Sequence, residues 1–373
     1  MTNAHEKSIQ RSSFAPSLTE QAGVTLIELM FGLLIAAVVV GAAFTILTTS
    51  SKALRANEQI VDTQQNVRLA MELLARDLKM AGFGNPGVAV GNCTSVILPS
   101  DNTVTGTDNG ADSVQVLVPA TRATGANRWT LSGPTSSGGI TQITLQPGAV
   151  ADMVTSGLVN NSYISIGGAV TVPVTAYDAT NNKLNVTIPP PLWFQQEDQV
   201  YLLQCIRYRV VPSPDPAGLC GDPLLAGAGS PCLTRGVAGV TTGPNAEAPI
   251  AEGIEDLQLS YACDGCVAAI NSGIPDHIID DVSTPAGFGQ EDFLSNVTWT
   301  TAPLTPDKIK LIQIALVARQ SKNDQGFGEN SQAFVGSSAM TVGPSPSDRT
   351  LAADPNHRRR ILVKTVETRN VGL

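Results

Sequence analysis

From Leu29 to Leu47 the chain reads LMFGLLIAAVVVGAAFTIL, 19 residues without a charge. Coiled as a helix they span roughly 28 Å, close to the thickness of a bilayer's hydrocarbon core. An ordinary single-span anchor and a secretory signal share this length, but three features separate the segment from both. Glu28 lies just inside the apolar stretch Val24–Leu47, where a carboxylate is costly to bury and calls for a partner. Gly23 precedes the apolar run, so a cut there retains the core, whereas a secretory signal is cut after its core and loses it. The helical pattern also continues beyond a bilayer's reach, with no proline between Pro16 and Pro86. The competing expectation is cleavage at Val40-Gly41-Ala42-Ala43 by an ordinary signal peptidase, which would release a soluble protein. N-terminal sequencing of the mature chain separates the two.

Residues 50–81 extend the helix. Ile60, Val67, Met71, Leu74, Leu78 and Ala81 recur at helical spacing and form one apolar stripe, the expected inner face of a helix packed on a sheet. Glu58, Asp62, Arg68, Glu72, Arg76 and Lys79 populate the other faces. From Val24 to Ala81 such a helix runs roughly 87 Å. Gly82, Gly84, Asn85 and Pro86 end it. Gly82–Gly87 matches GxGxxG, but a helix precedes it and Pro86 interrupts it, so it reads as a helix stop rather than a dinucleotide site.

Beyond Cys93 the chain is rich in Thr, Ser, Asn, Val, Gly and Pro, a mixture that suits short strands and many turns. Strands are expected at Ser113–Val118, Ile140–Gln146, Tyr163–Ile166, Val170–Ala176, Lys183–Ile188, Val200–Val211, Ile254–Ala262, Lys308–Arg319 and Arg360–Arg369. Leu257, Leu259 and Tyr261 share one strand face, with Gln258 and Ser260 on the other. Long loops are expected at 121–139, 212–249, 267–307 and 320–358. The fold class is therefore α+β, a long N-terminal helix packed on antiparallel sheet with loop-rich insertions.

The six cysteines, Cys93, Cys205, Cys220, Cys232, Cys263 and Cys266, all follow the apolar segment, and an even count fits an oxidising compartment. Cys263 and Cys266 read as a structural disulfide: no second CxxC completes a zinc site, and no helix follows to activate a thiol. Cys220 and Cys232 are candidates to close a loop. Cys93 and Cys205 are further candidates, and fifteen connectivities remain open. After residue 23 only His277 and His357 remain, both in loop-like stretches; Ser283 and Ser295 lie near His277, but nothing local supports a triad, and surface histidines are the expectation. No catalytic, cofactor or metal site is expected, and the chain reads as a structural protein rather than an enzyme. Asp276, Asp280 and Asp281, or Asp324 and Glu329, offer oxygens to calcium but lack loop-site spacing, so solvated loops are the expectation. Net charge is −9, which argues against nucleic-acid binding. Arg358-Arg359-Arg360 reads as a basic turn before the last strand.

Gly23, Val24, Thr25, Leu26, Ile27, Glu28 and Leu29 resemble the type IV prepilin signature. The resemblance implies a leader at 1–23 that prepilin peptidase removes between Gly23 and Val24, followed by N-methylation of Val24. The family usually has Phe or Met where this chain has Val24. It implies a helix at 24–81 with its transmembrane part at 29–47 in membrane lipid, and an extracytoplasmic head at 82–373. In a filament, Glu28 would neutralise the Val24 amine of a neighbour and set axial register. Ile206–Val210, Leu233-Thr234-Arg235, Ala251–Tyr261, Lys310–Arg319, Arg358–Ile361 and Arg369-Asn370, together with Arg68, Asp77, Ala81 and Gly82, resemble PilW-type minor pilins. More distantly they resemble J-type minor pseudopilins of type II secretion. That resemblance implies partnership with other minor pilins, the major pilin and the inner-membrane assembly platform. It implies a single-pass inner-membrane protein with a periplasmic head that then moves to the pilus at the cell surface. A tip adhesin using loops 121–139 and 267–307 is a rival of another class.

Overall fold

The computed structural model describes residues 23–84, 87–101, 110–122, 129–135, 139–212, 219–220, 230–241, 243, 245–282, 287–320, 340–342, 349–354 and 357–371. The leader expected at 1–23 lies almost wholly outside these residues, as do Asp324 and Glu329. The chain divides into two compact units, one ending at Arg55 and the other beginning at Ala56.

Helix α1 runs Leu26–Met80, and the first unit contains its apolar part. There Leu29, Phe31, Leu33, Ile35, Val39 and Phe44 are each at least 56% exposed. So much uncovered apolar surface has no place in water and needs lipid or protein over it.

In the second unit, the later part of α1 buries Val67, Ala70, Met71, Leu74, Ala75, Asp77 and Leu78. All but the aspartate belong to the expected stripe or flank it. The strands follow in order: β1 (Ile97–Ser100), β2 (Ser113–Pro119), β3 (Gly139–Thr144), then helix α2 (Ala149–Thr155), β4 (Tyr163–Ile166), β5 (Val170–Pro173), β6 (Ala176–Asp178), β7 (Lys183–Ile188) and β8 (Val200–Val211). After these come β9 (Cys232–Val237), β10 (Ala248–Glu252), β11 (Ile254–Cys263), β12 (Ile309–Arg319), β13 (Met340–Val342), β14 (Arg349–Leu351) and β15 (Arg359–Glu367). A seven-stranded sheet has the order β1-β2-β8-β4-β5, with β9 also on β8 and β10 on β9. A second sheet is β11-β12-β15 and a third is β3-β7-β6, while β13 and β14 form a hairpin. Every pairing is antiparallel. The α+β fold expected from the sequence is thus observed.

The helix stripe shares one core with both larger sheets, including Val114, Val116, Ile206 and Tyr208 from the first and Leu257, Leu259, Ile312, Ile314 and Leu316 from the second. At the helix end Gly82 takes φ +75°, and its N–H donates to the Leu117 carbonyl at 2.9 Å. A Cβ there would lie 2.6 Å from the Asn370 carbonyl oxygen, so only glycine fits this helix stop. A separate core joins α2, β3, β4, β5 and β7 around Trp129, Leu131 and Met153.

Several sequence expectations need correction. The stretch 212–249 is not one long loop, because β9 and the start of β10 lie in it. β9 is held by pairing with β8 and β10, a non-local cause that no local period displays. Val170–Ala176 is not one strand. The Val174 N–H bonds to the Ser162 carbonyl beside β4, and the Thr175 N–H bonds to Asn185 of β7, so the chain changes sheet between them. Within 121–139, Trp129 and Leu131 are core residues, and the Trp129 Nε1–H donates to buried Asp152 at 2.9 Å. Gln258 and Ser260 do not face water: both are fully buried. Ala315 and Val317 share their side of the second sheet and pack with Met340 and Leu351 of the β13–β14 hairpin, which covers that face.

Candidate functional site

At the N-terminal end, Gly23, Val24 and Thr25 precede the helix and are exposed. The helix therefore begins at Leu26, two residues later than Val24. Thr25 ends the non-helical segment: its Oγ1 accepts the Glu28 N–H at 3.3 Å, and its carbonyl accepts the N–H of Glu28 at 3.1 Å and of Leu29 at 3.2 Å. Glu28 falls in the first turn with its side chain exposed. An acid in that position is favourable beside the unpaired N–H groups of a helix start. Among the described residues, nothing covers Gly23, Val24 or the Glu28 side chain.

A second site lies where α1 meets the sheets. Asp77, 3% exposed, accepts the Tyr208 hydroxyl at 2.7 Å and is gripped by Arg235 at 2.8 Å. Arg76 reaches its other oxygen at 3.1 Å. Arg235 Nε also donates to the Tyr208 oxygen at 3.0 Å. Burial, reinforced by the Asp77 charge, pushes the Tyr208 phenol well above the usual range. Burial opposes the Arg235 charge, but Tyr208 and Asp77 outweigh it and raise its pKa. A charge buried in this way is stable only because every partner is in place. Asp77, Tyr208 and Arg235 come from three of the segments that carry the PilW resemblance, and nothing in their spacing shows that they meet.

Alongside, Glu247 receives Arg207 at 2.8 Å and also Arg209 and Thr234. Burial opposes its charge, but these hydrogen bonds prevail and hold the carboxyl at about 2. Arg359 is no free basic turn: it stands in β15, is 7% exposed, and forks onto Glu255 at 2.7 and 2.8 Å.

The six cysteines stand in three pairs whose Cα separations suit disulfides. Cα separations are 5.5 Å for Cys93 and Cys205, 5.6 Å for Cys220 and Cys232, and 5.9 Å for Cys263 and Cys266. Cys263, Cys266 and Asp280 bring three metal-type ligand atoms within 4.8 Å of one another. The Asp280 oxygens, however, already accept the N–H groups of Gly265, Cys266 and Val267 at 2.8–3.0 Å. Asp264 answers from the other side, accepting the N–H groups of Asp276 and His277 at 2.9 and 3.0 Å. Asp280 is thus a buried brace for the cysteine turn and not the solvated loop residue expected from the sequence. Asp276 and Asp281 are spent on local backbone as well. His277 is exposed, as expected, but His357 is partly buried with Nδ1 2.9 Å from Asp354.

An apolar N-terminal helix whose later turns pack on antiparallel sheets defines a pilin-like protein of the α+β class, with the helix long and apolar enough to serve as a single membrane anchor. The model of the PilW family, type IV pilus-assembly protein W, matches residues 225–370. The PilW-type resemblance is borne out there, and the chain is tied to type IV pilus assembly. The matched span holds β9 to β15, with Arg235 and the Cys263–Cys266 turn. No curated protein matches the chain, and no solved structure matches it.

Proposed function

We propose that the chain is a minor pilin that helps to initiate or cap a type IV pilus. The observation that carries this reading is the bare apolar start of α1 with Glu28 in its first turn, in a chain whose C-terminal part matches a pilus-assembly family. Prepilin peptidase removes residues 1–23, and the new Val24 amine becomes methylated. The freed amine is a cation at the tip of an apolar helix, and Glu28 of an adjacent subunit neutralises it when both leave water. An unpaired charge there costs several kcal/mol, so register follows from charge pairing. Before assembly the helix holds the protein in the inner membrane with its head in the periplasm, where oxidising conditions keep the three cysteine pairs bonded. Its partners are other minor pilins, the major pilin and the assembly platform.

Deleting the gene and counting surface pili tests this reading. The expected result is few pili and lost twitching, with major pilin still made at normal level. Normal piliation in the deletant overturns it. Intact pili with failed protein secretion would assign the same physics to a J-type pseudopilin.

A further inference from the structure

A cavity of about 370 Å³ opens in the head beside β8, between the 154–163 segment, Tyr177 of β6, and Val237, Ala238, Val240 and Asn245. Its size falls in the range of small-molecule sites. Among the described residues, the lining contains no Asp, Glu, Lys, Arg or His, although the chain as a whole carries a net charge of −9. An ionic ligand would leave water here without a counter-charge, which is costly. The polar members of the lining are mostly amides and phenols, Asn92, Asn161, Gln204, Asn245, Tyr163 and Tyr177, with the Ser162 hydroxyl already accepting the Val159 N–H at 2.9 Å.

Two of these amides are held from behind. Gln204 Nε2 donates to the Ser156 carbonyl at 2.9 Å, and Asn245 Nδ2 donates to the Gly157 carbonyl at 3.4 Å. Among the described residues, the side chains of Asn92, Asn161, Tyr163 and Tyr177 have no hydrogen-bond partner. At the rim Tyr177 is 36% exposed and Val159 60% exposed. Amides offer donors and acceptors together, and a tyrosine offers a flat apolar face with a polar tip. A matching ligand is uncharged, carries hydroxyls along its edge and has an apolar face. A pyranose ring has all three properties.

We propose that this cavity binds a neutral saccharide, with Tyr177 stacking on the ring and the amides holding its hydroxyls. Among the described residues, none of the lining comes from 121–139 or 267–307, the loops that the sequence suggests for adhesion. The proposal stands whether or not the pilus reading holds.

The test is saturation-transfer NMR on the full chain in amine-oxide micelles, which contain no sugar headgroup. The probes are glucose, galactose, N-acetylglucosamine and sialic acid, each at millimolar concentration. The expected result is transfer to at least one neutral sugar and none to sialic acid. Tyr177→Ala should weaken binding about tenfold, the loss of one aromatic contact. Val159→Trp, a change at an exposed rim position, should block the mouth with the thermal melt unchanged. No transfer to any neutral sugar overturns the proposal, as does equal transfer to sialic acid. Transfer that survives both substitutions shows adventitious binding only and overturns it too.

Discussion

Asp77 and Arg235 stand 158 residues apart in sequence and 2.8 Å apart in space. The first lies on the late part of α1, the second on β9, and Tyr208 of β8 bonds to both. This cluster fixes the helix rotation against the seven-stranded sheet, because the carboxylate can be buried only where both partners reach it.

Removing both partners should therefore cost less than the two single removals added together. Asp77→Ala is expected to destabilise the head by about 3–5 kcal/mol, leaving Arg235 half-buried and unpaired. Asp77→Ala with Arg235→Met should lose less than the sum of the single changes. Urea unfolding of the full chain in micelles, followed through the tryptophans, measures both. Additive losses would mean the two residues act independently.

Glu247 predicts an acid limit. Its folded pKa is about 2, below its ordinary value of 4.5. A depressed carboxyl adds stability that is fully present above the unfolded value and is lost as pH falls from about 4.5 toward 2. After allowance for solvent screening this amounts to about 1–2 kcal/mol. Glu247→Gln should flatten the stability profile across that window and lower stability at neutral pH. An unchanged profile would show that the arginines contribute nothing through this group.

Asp280 predicts control of the cysteine turn. Asp280→Ala leaves the buried N–H groups of Gly265 and Cys266 without their acceptor, each worth about 1–3 kcal/mol, and the part-buried Val267 N–H as well. The Cys263–Cys266 pair should then react faster with a mild reductant, read by alkylation and peptide mass. Equal rates in both proteins would mean the brace does not protect the pair.

Gly82 predicts a steric limit. Gly82→Ala forces a Cβ to 2.6 Å from a backbone oxygen at φ +75° and should destabilise by about 2 kcal/mol or more. Thermal unfolding measures it, with Gly87→Ala as a control that has positive φ but open space.

Glu28 predicts assembly without a folding role. Because its side chain is exposed and its unit contains no head residue, Glu28→Ala should leave the head's melt unchanged. The variant should be processed but excluded from sheared pili. Normal incorporation would mean that the acid sits solvated at headgroup level.

The local signals were legible without any coordinates. A long uncharged run, a helix stripe with period 3.6, a glycine stop and alternating strands each depend on neighbours a few residues away, so they can be read along the chain. The anchor, the inner face of α1, the stop at Gly82, and β4, β7 and β8 were readable for that reason. The short β9 and β10 were not, because their pairing partners stabilise them and they show no period of their own. Nor was the burial of Gln258 and Ser260, which depends on a hairpin nearly a hundred residues later. The sequence alone determined that an apolar rod that needs cover leads into a cysteine-bearing, strand-rich head. Only the tertiary structure decided that Asp77, Tyr208 and Arg235 form one cluster, that Asp280 braces the cysteine turn, and that an uncharged cavity opens beside β8. These last features are meetings of distant residues, and the free energy of such a meeting depends on geometry that no local stretch encodes.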